Sequence, residues 1–218
     1  MSSIFYWEKI DVKKSDLVKI TKSESVLNKI IIEILCCHFE HENIAMNKII
    51  IKAYENKYQP EFERMNRQWI EAWFTMEPLD EYVLTNPEEA ILKDGGAILM
   101  ALYDGTVAGT VGLRKVGAQT YEFTKMAVDE NYRRKGIAEA LSYASFEKAR
   151  ELGAIKVILY SNTRNAGAIK LYEKIGFKHL PVEPGVYERA NVKMEIDIAT
   201  TLVGTRNRAE IKPAESIH

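Results

Sequence analysis

A short basic turn that leads into a helix is the part of this sequence best suited to bind a phosphorylated ligand. Apolar residues recur at helical spacing after Gly136, so a helix is predicted to begin at that glycine. The first N–H groups of a helix have no intrahelical acceptor, and the helix dipole favours an anion there. A solvated basic helix start is the alternative. The residues predicted to surround a pyrophosphate are Arg133, Arg134, Lys135, Gly136, Ile137 and Ala138.

Two common phosphate-binding motifs are absent from the sequence. Neither the Walker pattern G-x-x-x-x-G-K-[ST] nor the dinucleotide pattern G-x-G-x-x-G occurs. A second informative segment lies downstream, where the β-branched run Lys156–Tyr160 predicts a buried strand. It is followed by N-x-x-A-I-x-L-Y-E-K-x-G-F, in which Asn165 is the predicted N-cap of a helix and Gly176 its end.

Both segments resemble motifs of the GNAT N-acetyltransferase superfamily. The turn matches R/Q-x-x-G-x-G/A, the acetyl-CoA pyrophosphate loop, and the second segment is similar to another family motif at the usual distance. The resemblance extends from about Asn47 to Ile198. It implies a mixed α/β fold with a mostly antiparallel sheet flanked by helices. It also implies transfer of an acetyl group from acetyl-CoA to a primary amine of a small molecule or peptide, by direct attack.

The same resemblance assigns roles to individual residues. In the family, the strand before the loop splays from its neighbour and pantetheine lies in the gap. The main chain at Met126 and Val128 is therefore expected to pair with pantetheine, and the N–H of Met126 to polarise the thioester carbonyl. Asn165 matches an asparagine that contacts the cofactor arm. Tyr172 matches a tyrosine near the sulfur and is the candidate donor to the departing thiolate.

Glu122 matches the position where several family members have a catalytic glutamate. An alkyl amine with a pKa near 10.4 needs about 4.6 kcal/mol to lose its proton at pH 7, so a base is required. The alternative for Glu122 is a sheet-edge glutamate that faces solvent, and for Tyr172 a core ring with a hydrogen-bonded hydroxyl. Tyr187 and Arg189, ahead of the last strand, either line the acceptor pocket or lie on the surface.

Strands and helices alternate through the central region. Its tightest signal is the turn Asp104-Gly105, which predicts a hairpin. The other predicted elements are a strand at Lys48–Tyr54, a helix at Pro60–Met76 with Phe62, Met65, Trp69, Ile70 and Trp73 as its buried stripe, a helix from Asn86 to Gly95, strands at Ala97–Tyr103, Thr106–Lys115 and Tyr121–Val128, and a closing strand at Val192–Ile198.

Composition restricts the compartment and the partners. The chain has 218 residues, 46% of them hydrophobic, and a net charge of -1, so one substantial domain is expected and nucleic acid is not an expected partner. No apolar stretch is long enough for a membrane span, and the N-terminus lacks the features of a secretory signal, which favours the cytoplasm. Cys36 and Cys37, even with His38 and His41, lack zinc-site spacing, so no metal is expected.

The chain divides into three predicted regions. Residues 1–46 form an extension whose apolar spacing predicts a helix. This helix either docks on the domain or on a second subunit, which would make a homodimer, or is an appendage of no catalytic consequence; we favour docking. Residues 47–198 are the GNAT-like domain, and residues 199–218 are a polar C-terminal tail.

The sequence leaves alternatives open for the amine acceptor and for the enzymatic role. Acidic residues on the first helices could attract a cationic amine, although such residues more often form a solvated face. The rival to an enzyme is a non-catalytic acyl-CoA-binding sensor or interaction module. Glu122 and Tyr172 together argue against that rival.

Overall fold

The central sheet of the domain contains eight strands in the part of the chain that the structure, a computed structural model, describes: residues 49–183, 187–199 and 210–212. The strands are β1 (Ile49–Ala53), β2 (Ala97–Tyr103), β3 (Thr106–Lys115), β4 (Thr120–Val128), β5 (Lys156–Ser161), β6 (Lys178–Leu180), β7 (Val192–Asp197) and β8 (Glu210–Lys212). Their order in the sheet is β6-β7-β5-β4-β3-β2-β1-β8. Only β4–β5 and β1–β8 run parallel, which confirms the predicted, mostly antiparallel α/β fold.

Helices cover both faces of this sheet. The α-helices of the described region are α1 (Gln59–Trp73), α2 (Pro78–Thr85), α3 (Ile137–Glu151) and α4 (Ala166–Lys174). Helix α2 was not predicted from the sequence. The helix predicted from Asn86 to Gly95 is instead a short π-helical turn at Glu88–Leu92.

Strand β2 is buried on both faces and connects the two halves of the core. Leu99 and Ala101 pack on one face with residues of α3 and α4, including Leu141. Ile98 and Met100 pack on the other face with residues of α1 and α2. Because every residue of β2 is buried, this strand is hydrophobic throughout rather than alternating.

The buried stripe predicted for α1 is correct except at its end. Phe62, Met65 and Ile70 are buried and Trp69 is partly buried. Trp73, however, is 55% exposed, so its assignment to the core was wrong. The reason is local: α1 ends at this residue, and Phe74 continues in an extended conformation that turns the chain away.

Strand β4 separates from its neighbour β5 after only three paired residues. Thr120, Tyr121 and Glu122 pair with β5, and the rest of β4 pairs only with β3. The β3–β4 register also shifts, so that β4 has one extra residue between Thr124 and Ala127. This irregularity is a β-bulge, and Lys125 within it has a left-handed φ of 51°. One side of β4 is therefore left open to a ligand.

The two flanking regions are described only in part. The predicted helical extension at residues 1–46, which contains both cysteines, lies outside the described residues. Within residues 199–218, the short strand β8 pairs in parallel with β1, a pairing that was not predicted.

Candidate active site

A cavity of about 460 Å³ opens where β4 and β5 separate. Its lining runs from Glu122, near the start of β4, to Arg133 and Arg134, which follow the end of that strand. The six-residue rise from Glu122 to Val128 corresponds to roughly 20 Å of extended chain. We call the two extremes the Glu122 end and the loop end.

The loop end has the backbone geometry of an anion site. Arg134 and Gly136 have left-handed φ values of 61° and 81°, and Gly136 is the N-cap of α3. A glycine cap has no side chain that could satisfy the first-turn N–H groups, so these groups remain available for a ligand. Arg133, Arg134 and Ala138 line the cavity.

Three of the predicted loop residues do not line the cavity. Lys135 turns away, with its ammonium 4.4 Å from the centre of the Tyr103 ring. Ile137 is 1% exposed and packs in the core, so only its backbone could contact a ligand. Gly136 contributes its left-handed backbone rather than a lining surface.

Of the three residues predicted to hold the cofactor arm, two line the cavity and one does not. Met126 lines the cavity from the bulge of β4. Asn165 also lines it, at the N-cap of α4, where its side chain makes no capping hydrogen bond. Val128 lies outside this cavity and pairs with Gly109; it borders a separate cavity of about 180 Å³ instead.

Glu122 is 1% exposed, so the alternative of a solvent-facing glutamate was wrong. Arg114, directly opposite on β3, donates to Glu122 Oε2 through Nε and Nη2. The Tyr187 hydroxyl donates to Oε1 over 3.0 Å. Burial, together with the charge of Glu122, raises the pKa of Tyr187, which therefore stays protonated at neutral pH.

Tyr172 lies in the cavity wall and is almost fully buried. Its ring packs edge to face against Phe123 and Phe177, at centroid distances of 5.8 and 5.9 Å. Burial raises the pKa of its hydroxyl to about 12. No described residue hydrogen-bonds to that hydroxyl, which differs from the alternative of a satisfied core tyrosine.

A buried ionic cluster lies beside the Glu122 end. Asp80, on α2, is 0% exposed and accepts hydrogen bonds from Lys125 Nζ, at 2.6 Å, and from both Nη groups of Arg189. Glu77 also accepts from Arg189 Nη1, at 2.9 Å. Burial alone would raise the pKa of Asp80, but the hydrogen bond from Arg189 and the charge of Lys125 outweigh it and lower the pKa.

The sequence did not predict this cluster, although it singled out Arg189 and its neighbour Tyr187 as possible pocket residues. Tyr187 and Arg189 both line the cavity, in line with the pocket interpretation. Lys125 and Asp80 were missed as partners, because 45 residues separate them in the chain. The sequence Glu77-Pro78-Leu79-Asp80 is a helix-start signal that could have revealed α2, and in the structure the side chains of Glu77 and Asp80 accept from each other's backbone N–H groups.

The acidic residues of the first helices do not form the attractive surface considered above. Within the described residues, Arg67 pairs with Glu63, Glu71 and Glu81, and Lys93 pairs with Glu89. None of the helix carboxylates lines the main cavity. These carboxylates therefore do not form the wall of the cavity that would receive an acceptor.

The described residues contain neither a cluster suited to a metal ion nor a helix suited to a membrane span. No group of three or more His, Cys, Asp or Glu side chains there is arranged to hold a metal ion. No helix in the same part of the chain has the length and apolar character needed to cross a membrane.

The class of protein follows from comparison with known sequences. The sequence model of the acetyltransferase (GNAT) family matches residues 48–177. The chain therefore belongs to this family, as its two motifs predicted.

Individual relatives resemble parts of the chain. The N-acetylaspartate synthetase of Xenopus tropicalis is 33% identical over 108 residues, covering 49% of this chain and 37% of that protein. This chain thus matches little more than a third of that relative's length. The uncharacterized N-acetyltransferase YjgM of Escherichia coli (strain K12) is 27% identical over 146 residues, covering 63% of this chain and 87% of that protein.

Solved structures share the fold. An acetyltransferase of the GNAT family from Staphylococcus aureus Mu50 aligns with a TM-score of 0.62 and 22% identity, over 69% of this chain and 99% of that one. The PaiA N-acetyltransferase from Thermoplasma acidophilum, solved in complex with coenzyme A, aligns with a TM-score of 0.55 and 20% identity over the same shares.

Proposed function

We propose that this protein transfers the acetyl group of acetyl-CoA to a primary amine. The observation that carries the proposal is the open side of β4, which leads to a left-handed, basic loop at the start of α3. A long substrate with an amide-containing arm and a pyrophosphate fits this combination. The arm can pair with free backbone groups of β4, and the phosphates can accept from first-turn N–H groups.

Substrate positioning begins at the loop end. The N–H groups after Gly136 would hold the pyrophosphate, with Arg133 and Arg134 beside it. The open edge of β4 near Met126 and Val128 would hold pantetheine. The side-chain amide of Asn165, which makes no capping hydrogen bond, would contact the same arm. This arrangement would place the thioester near the bulge.

The β-bulge can leave the backbone N–H of Met126 without a partner in the sheet, so that it is available for catalysis. Two residues of β4, Lys125 and Met126, lie opposite Val111 alone, so the ladder cannot use all of their backbone groups. An N–H directed into the cavity can donate to the thioester oxygen as negative charge develops during attack. Such a donor is typically worth about 2.7–4 kcal/mol.

Removal of the amine proton would involve Glu122 through Tyr187. Both carboxylate oxygens of Glu122 are already hydrogen-bonded, one to Arg114 and one to Tyr187. We infer a relay in which the Tyr187 oxygen takes the amine proton while its own proton moves to Glu122. The raised pKa of Tyr187 disfavours a free tyrosinate, so the two transfers occur together.

Tyr172 would stabilise the departing sulfur as a hydrogen-bond donor. A tyrosine with a pKa of about 12 is a much weaker acid than a thiol with a pKa of about 8.5. Full proton transfer to the thiolate would cost about 5 kcal/mol, from roughly 3.5 pKa units at 1.36 kcal/mol each. A hydrogen bond avoids this cost, so the proton of Tyr172 stays on its oxygen.

The cytoplasm is the proposed compartment, and a homodimer remains the proposed assembly. The net charge of -1 provides no basic field for nucleic acid.

The reaction as proposed needs only acetyl-CoA and the amine. Direct attack within a ternary complex requires no acyl-enzyme.

Thiol release tests this proposal. The full chain is mixed with acetyl-CoA and a panel of amino acids, their amides, polyamines and short peptides, and free CoA is measured with a thiol reagent. Amine-dependent release, with acetylated amine identified by mass spectrometry, is expected. Tight CoA binding without turnover of any amine would favour the non-catalytic sensor instead.

A further inference from the structure

The Glu122 end of the cavity presents cations to a ligand. Its carboxylate, Glu122, has both oxygens engaged by Arg114 and Tyr187. Lys125 and Arg189 also line the cavity, whereas their partner Asp80 is fully buried behind them and does not. A ligand that enters this end therefore meets an ammonium and a guanidinium.

Arg189 has an unused edge. A guanidinium carries five N–H groups, and three hydrogen bonds fix this one: Nη1 donates to Glu77 and Asp80, and Nη2 donates to Asp80. No described residue accepts from Nε–H or from the second Nη2 hydrogen. These two parallel donors match the two oxygens of a carboxylate. Glu77 and Asp80 fix the orientation of the Arg189 guanidinium before a ligand binds.

We propose that the acetylated amine belongs to a molecule that also carries a carboxylate, such as an amino acid, and that the Nε–Nη2 edge of Arg189 binds that carboxylate. This inference rests on the proposed acetyl transfer. Lys125 supplies a second positive charge at the same end. The amine would then face Tyr187 and the thioester near Met126.

Charge balance distinguishes this acceptor from a polyamine. Lys125 and Arg189 are balanced by Asp80 and Glu77, so the cluster is neutral without a ligand. A zwitterionic amino acid adds no net charge. A polyamine would instead add positive charge that no group of this cluster compensates, which is unfavourable in a site of low dielectric.

Matched acceptors test the proposal in the parent protein. The kcat/KM values for free amino acids are compared with those for the corresponding amino acid amides and for spermidine. The amide has the less basic amine, so chemistry alone would favour it. We expect free amino acids to be better by at least about tenfold, the ratio that corresponds to about 1.4 kcal/mol. Equal or faster turnover of the amides or of spermidine would overturn the proposal.

Arg189→Lys tests the residue itself, because it keeps the charge and removes the two-donor edge. We expect KM for amino acids to rise by at least about tenfold more than KM for the amides. Equal changes for both acceptors would mean that Arg189 has only a structural role, and would contradict the proposal.

Binding of the acetylated product is the readout that needs neither turnover nor a variant. Calorimetry of the parent protein with CoA compares an N-acetyl amino acid with its amide. Preferential binding of the acid supports carboxylate recognition even if no acetyl transfer occurs, and equal binding contradicts it. Loss of CoA binding or of all turnover would count against the proposed function separately.

Discussion

Asp80→Asn should destabilise the domain strongly, because it removes the carboxylate that pairs with Lys125 and leaves Arg189 with Glu77 as its partner. Asp80 is 0% exposed, and the side chains of its partners Lys125 and Arg189 are only 4% and 17% exposed. Removing one member of a buried ion pair typically costs about 3–5 kcal/mol. For a domain of this size, at about 2–4 °C per kcal/mol, the melting temperature should fall by roughly 6–20 °C.

A surface pair provides the control for this effect. Glu63→Gln removes a partner of Arg67, but both side chains are 28% exposed, so a loss of only about 0.2–1 kcal/mol is expected. Urea and thermal unfolding of the parent and the two variants at pH 7 measure the difference. Asp80→Asn within about 1 kcal/mol of the parent would show that the cluster does not act as a buried ion pair.

The pH dependence gives a second check on the same variant. The pKa of Asp80 is lower in the folded protein than its ordinary unfolded value near 3.9. Its stabilising contribution is therefore complete above about pH 4 and is lost as the pH falls through the folded pKa. The stability gap between the parent and Asp80→Asn should shrink in acid. A gap that stays constant down to the acid unfolding limit would contradict the assigned charge state.

Three further predictions concern the reaction. Glu122→Gln should lower the rate about 10²–10⁴-fold at neutral pH and recover as the pH rises, since solvent then removes the amine proton; an unchanged pH–rate profile would remove Glu122 from the mechanism. Tyr187→Phe should show the same pH-dependent loss, and the double variant should be no slower than either single one, whereas additive losses would exclude the relay. Tyr172→Phe should lower kcat by about 10–150-fold, the equivalent of one charged hydrogen bond, with little change in KM for acetyl-CoA or in stability; a risen KM would place the hydroxyl in ground-state binding instead.

Local patterns made most of the fold predictable. The meander from Ala97 to Val128 follows from apolar runs separated by the Asp104-Gly105 turn, and its strands match the observed bounds closely. The start of α3 at Gly136 and of α4 after Asn165 were read from capping residues. These features depend on neighbours in sequence, which is why one sequence suffices to find them.

Features that depend on distant contacts could not be predicted in this way. The pairing of Asp80 with Arg189 joins residues 109 apart, and no sequence pattern reports it. The bulge at Lys125 depends on the register against β3, which the alternation of β4 alone does not reveal. Trp73 fits the helical stripe, but its exposure results from where α1 ends.

The central claim, that the loop at the start of α3 binds acetyl-CoA, is tested most directly by calorimetry of CoA with two matched glycine variants. Gly136→Val and Gly153→Val place the same side chain at similar left-handed φ values, 81° and 78°, at the two ends of α3. Valine in a left-handed conformation costs about 1–2 kcal/mol of stability, and both variants carry this same cost. The account predicts that Gly153→Val binds CoA like the parent and that Gly136→Val does not bind it measurably. Equal CoA affinity in the two variants would contradict the account.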